Sequence, residues 1–125
     1  MIRSVHHVQI TIPKGSEDAA RAFYCGLLGL SEIAKPDSLA GRGGFWLEVG
    51  DRQVHVGTED GVERDRSKAH VAYLVDDLEY WSATLANADI ETLPADESSA
   101  TPSNQLQNGY DNPDVNDLGD ESNSE

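Results

Sequence analysis

The chain has 125 residues, enough for one domain, with 38% hydrophobic residues and a formal net charge of −14. That charge argues against nucleic acid or anionic membrane as a partner, because both reward basic patches, and no apolar run approaches the roughly 20 residues of a membrane span. One cysteine, Cys25, excludes an intramolecular disulfide and a CxxC metal site; with no leader-like segment at the amino terminus, a cytoplasmic protein is the expectation.

In chain order, residues 5–12 (VHHVQITI) alternate as a half-buried strand does, with Val8, Ile10 and Ile12 on one face and His7, Gln9 and Thr11 on the other. Pro13 and Gly15 break the run. Ser16 is placed to cap a helix that carries Glu17 and Asp18 in its first turn, where the helix dipole favours anions. Ala20, Phe23 and Leu27 form its apolar stripe, and Gly29 is the predicted stop. Three strands are predicted next, at 30–35, 44–49 and 52–57, the last two joined by a tight turn at Gly50–Asp51. The order is β-α-β-β-β.

After a charged loop from Glu59 to Lys68 the order restarts. Residues 70–75 read as a strand, Asp76 or Asp77 as the cap of a helix, and Leu78, Trp81 and Leu85 as its apolar stripe. Ile90 to Leu93 begins another strand. Aligning His7 with His70 superposes Val8 on Val71, Ile10 on Tyr73 and Ile12 on Val75, a weak but regular internal repeat. Residues 94–125 carry only Ala95, Ala100, Leu106, Tyr110, Val115 and Leu118 as apolar residues. From residue 93 onward there are eight acidic side chains and no basic one. So little apolar surface cannot offset the ordering entropy, and an acidic disordered tail is predicted, leaving a domain at 1–93.

HHVQITIP, AFYCGLLGL, GRGGFWLEVGDRQVHVG and KAHVAYLVDDL, in that order, resemble the vicinal oxygen chelate superfamily of glyoxalases, extradiol dioxygenases and bleomycin-binding proteins. The resemblance implies an α+β fold: a βαβββ module followed by a second that lacks its last two strands, in a curled mixed sheet with helices on the convex side. It implies metal ligands on the first strand of each module, hence His7 and His70. His55 falls on the fourth strand, where some members place a further ligand. The family's last-strand glutamate has no recognisable counterpart after Leu93.

His7, His55 and His70 lie on strand faces opposite the apolar stripes, and Trp46, Glu48 and Gln53 share that side. Imidazoles with one carboxylate suit a divalent transition metal (Mn, Fe, Ni or Zn), with Glu48 or His55 completing the set. Trp46, Arg42 in GRGG and Gln53 are the candidate substrate contacts. Phe23 and Trp81 read as core, and His6 as structural. Cys25 has no histidine obviously paired with it, so no nucleophile is assigned. Two functions follow: a metal-dependent glyoxalase- or dioxygenase-like enzyme acting on a small oxygen-rich substrate, or a non-catalytic small-molecule binder of the bleomycin-resistance type. A third possibility is a truncated relative with impaired activity. The open edge of a second sheet missing two strands predicts a homodimer.

Overall fold

Ile10 and Ile12 are buried while Val8, on the same face, stays 44% exposed, so the first strand enters the core only along its second half. The computed structural model describes residues 1–63, 66–94, 105–108 and 115–119, and these fall into two compact units, Met1–Val62 and Glu63–Glu125. The first contains β1 (His7–Pro13), α1 (Glu17–Arg21), β2 (Ser31–Ile33), a 3-10 turn (Asp37–Arg42), β3 (Phe45–Val49) and β4 (Arg52–Glu59). Its sheet runs β1-β4-β3-β2. The crossover through α1 sets β1 parallel to β4, and the two other pairings are antiparallel. Gly50, at φ +59, takes the first central position of the β3–β4 turn, where a two-residue hairpin of this hand requires glycine.

Phe45 and Leu47 from β3, Val54 and Val56 from β4, and Phe23 and Tyr24 from the helix complete the core with Ile10 and Ile12. Each such side chain contributes about 1.5–3 kcal/mol by leaving water. The helix departs from the predicted regular stripe. After Arg21 it widens into a π-helix over Ala22–Leu27, and the inserted residue turns Tyr24 inward while Leu27 is only half-buried. Gly29 ends it at φ +77, as predicted. Ser16 does not cap the helix with its side chain; its Oγ instead donates to the Pro13 carbonyl at 2.6 Å. The Arg21 guanidinium lies 4.7 Å over the Phe45 ring and donates through Nε and Nη2 to the two carboxylate oxygens of Glu32, tying helix to β2.

The second unit contains β5 (Val71–Leu74), α2 (Leu78–Asn87), β6 (Glu91–Pro94), β7 (Gln105–Asn108) and β8 (Val115–Gly119). Of the two caps left open by the sequence, Asp77 is the one used, accepting from the Tyr80 N–H at 3.1 Å. Its sheet runs β5-β7-β8-β6. The placement of β7 and β8 corrects one expectation: the second sheet does not lack two strands. What the sequence lost is cross-strand register. Tyr73 pairs with Leu106, Leu106 with Leu118, and Leu118 with Pro94. These partnerships are a matter of register across four strands, between residues far apart in the chain. Residues 64–65 of the charged loop, and 95–104, 109–114 and 120–125 of the predicted tail, lie outside the described residues.

The internal repeat holds through the β-α-β portion and then diverges. The first unit sets its first strand parallel to its fourth, whereas β5 lies antiparallel to β7, the third strand of its unit. Among the described residues no helix is long and apolar enough to cross a membrane.

Candidate functional site

Strand alternation puts His7, Gln9 and Thr11 of β1, Gln53, His55 and Gly57 of β4, and Trp46 and Glu48 of β3 on the sheet face away from the buried row of Val54, Val56, Phe45 and Leu47. Register then stacks three rings across three strands. Trp46 and His55 are direct partners on β3 and β4, with ring centroids 3.8 Å apart and planes within 4°. His7 covers the other face of His55 at 4.0 Å and 14°. Pairs of this kind contribute about 0.5–1.5 kcal/mol beyond area burial.

His55 is only 5% exposed. Burial, and then the neighbouring His7 and His6, lower its pKa below the usual imidazole value. Its Nε2 lies 2.8 Å from Gln53 Oε1, an acceptor. That contact fixes the proton on Nε2 and leaves Nδ1 as an acceptor when the ring is neutral. His6 Nδ1 and His7 Nδ1 lie 3.0 Å apart, one donating to the other.

A cavity of about 540 Å³ opens beside these rings, lined in part by His7, His55 and Trp46. Gln9, Val56, Gly57 and Thr58 line it along β1 and β4, and Lys35, Leu39, Arg42 and Gly43 line it from the segment between β2 and β3. Two glycines let that segment approach. Gly43 and Gly44 both stand at φ +79, and a side chain on Gly44 would collide with the Val56 carbonyl. The turn is pinned from two sides: Lys35 Nζ donates to the Gly43 carbonyl at 2.7 Å, and the Gly44 N–H donates to Glu17 Oε2 at 3.1 Å. The latter bond holds the Glu17 carboxyl below the usual carboxylate range.

Four of the seven residues singled out from the sequence (His7, His55, Trp46 and Arg42) line this one cavity. Gln53 supports it through His55. Glu48 is exposed and outside the lining. His70 belongs to the second unit, where its Nδ1–H donates to the Lys68 carbonyl at 2.9 Å and leaves Nε2 as the lone-pair nitrogen. Sequence reasoning missed Lys35, Gln9 and Gly57. A glycine inside the strand QVHVGTE is itself a mark of close approach: a Cβ on Gly57 would lie 2.7 Å from Gln9 Nε2.

As a metal centre the first unit's donors do not fit. Among the described residues no three of His, Cys, Asp or Glu are grouped to hold an ion. The near-parallel stacking of His7 on His55 directs their in-plane lone pairs alongside each other, not onto one point. The cavity's chemistry is instead a row of aromatic ring edges, neutral hydrogen-bonding groups and two cations.

The model of the Glyoxalase/Bleomycin resistance protein/Dioxygenase superfamily matches residues 4–98. Among solved structures, a glyoxalase family protein from Bacillus anthracis is 30% identical, with 94% of this chain and 93% of that one covered at a TM-score of 0.77. An integron cassette protein from the mobile metagenome of the Halifax Harbour sewage outfall is 13% identical, covering 93% and 97% at 0.67. A bleomycin resistance determinant encoded on transposon Tn5 is 15% identical, covering 95% and 99% at 0.52; the last two likenesses concern the fold alone. No curated relative matches the chain.

Proposed function

Because the chain belongs to the glyoxalase/bleomycin resistance/dioxygenase superfamily, we propose that it is a small-molecule binding protein whose ligand occupies the cavity of the first unit without needing a metal. The observation that carries this reading is the 540 Å³ cavity itself, walled in part by the ring edges of the Trp46–His55–His7 stack, which offer aromatic and hydrogen-bonding contacts together. A screen of aromatic fragments against the 15N-labelled chain tests it. Binders should move the Trp46 indole resonance, leave that of Trp81 in place, act equally with and without chelator, and fail with Trp46→Ala. Fragments that perturb Trp81 alone would refute it.

A metal-dependent enzyme is the second reading, favoured by His70. A metal-ligating imidazole commonly donates its other N–H to a carbonyl, as His70 does to Lys68. A divalent ion there would supply Lewis-acid activation of substrate oxygens. Elemental analysis of the purified chain decides this reading. Stoichiometric metal that falls in His7→Ala/His70→Ala supports it; undiminished metal in the double variant removes both ligands from consideration. A homodimer is retained on a different ground from the sequence argument, since the second sheet has all four strands: β1 is an edge of its own sheet and leaves Val8 exposed. Sedimentation tests it; a monomer at all concentrations rejects it.

A further inference from the structure

We propose that the ligand of the first unit's cavity is an organic oxyanion: its carboxylate or phosphate is taken by Arg42 and Lys35, and its apolar body lies beside the ring edges of Trp46, His55 and His7. The proposal rests on the cavity being the binding site, and it adds the ligand's charge and the residues that select it.

The argument is one of unbalanced charge. In a chain of net charge −14 carboxylates are abundant, and four cations outside the cavity pair with one. Lys14, Arg21, Arg52 and Arg66 each lie 2.9–3.5 Å from a carboxylate oxygen of Asp60, Glu32, Asp51 and Glu63 respectively. The two cations of the cavity have no such partner among the described residues. Lys35, half-buried, makes its bond to a neutral carbonyl at Gly43, which leaves two of its three N–H groups for a ligand. Arg42 stands at the end of the 3-10 turn, one residue before Gly43, with its five donors uncommitted among the described residues. Both residues line the cavity from the segment between β2 and β3. Glu17 reaches the same turn, but its carboxylate accepts from the Gly44 N–H and forms no ion pair with either cation. No Asp or Glu lines the cavity. A cationic guest would meet two like charges in the lining, whereas an oxyanion pairs with both. Arginine's planar fork suits carboxylate and phosphate alike, and lysine adds a point charge.

The test uses the intact chain and four probes with one ring system: 2-naphthoate, 2-naphthyl phosphate, 2-naphthalenemethanol and 2-naphthylmethylammonium. Affinities come from calorimetry, and location from the Trp46 indole resonance with Trp81 as internal reference. The two oxyanions should bind at least about tenfold tighter than the alcohol, and Arg42→Gln and Lys35→Gln should each lower the ratio of oxyanion to alcohol affinity about tenfold. Arg42→Lys should restore part of the loss, and the ranking of naphthoate against naphthyl phosphate tells which oxyanion the pair prefers. Equal affinity of alcohol and oxyanions, preference for the ammonium, or oxyanion affinity unchanged in both glutamine variants overturns the charge assignment. In the first and last of these cases a shifted Trp46 resonance leaves the binding cavity itself standing. If no probe moves Trp46, the cavity reading falls and the oxyanion with it.

Discussion

Gly44→Ala probes the joint that holds the cavity's loop against its strands. Two penalties meet at this residue. The first is conformational: φ is +79, where an L side chain costs about 1–2 kcal/mol. The second is steric, because the new Cβ would strike the carbonyl oxygen of Val56, a backbone atom that cannot swing aside. Relief would require the start of β3 to move from β4 at the Phe45–Val56 pair, and Phe45 is 1% exposed. Overpacking of this sort adds about 1–3 kcal/mol, for a total of about 2–5 kcal/mol. Gly50→Ala separates the terms, since Gly50 shares a positive φ (+59) but has open space at its Cβ position. Urea denaturation of both variants, compared at equal m-value, should show Gly44→Ala the less stable by at least about 1 kcal/mol. The reasoning is refuted if the two variants lose the same stability, because the approach of Gly44 to Val56 would then have no energetic consequence.

Three further outcomes are expected. The lowered pKa of His55, set first by burial, means the unfolded chain binds its proton more readily than the folded one. This stabilisation is fully present above the ordinary value of 6.5 and is lost as pH falls through the lowered folded value; urea melts across that window should show a shallower pH slope for His55→Gln, and an unchanged slope counts against the assignment. The Tyr73 hydroxyl is buried with no hydrogen-bond partner among the described residues, and burial pushes its pKa up. Tyr73→Phe should be neutral or stabilise by about 1 kcal/mol in thermal melts, and a clear loss would reveal a partner for the hydroxyl. Asp77→Ala should cost about 1 kcal/mol through loss of the Tyr80 N–H cap, while Asp76→Ala, by the same melts, should cost little.

Local pattern carried most of the first unit. Alternation in VQITI and in FWLEV/RQVHV identified the strands and their two faces, because side-chain direction along a strand has a fixed period of two. That period was enough to place His7, His55 and Trp46 on one side before any strand had a neighbour. Gly29 and the Gly50–Asp51 turn were legible for a similar reason, as each depends on the backbone freedom of one residue.

What the sequence could not determine was which of those residues touch. The order β1-β4-β3-β2 and its register put His55 between Trp46 and His7, and no local feature sets a register across strands separated by tens of residues. The same holds for β7 and β8, whose Leu106 and Leu118 are isolated along the chain yet paired across the sheet. It holds for Lys35 too, whose place in the cavity depends on a turn eight residues later folding back to accept its proton. Periodicity is written residue by residue, whereas contact is fixed only when hydrogen-bonded neighbours and buried surface choose one arrangement for the whole unit.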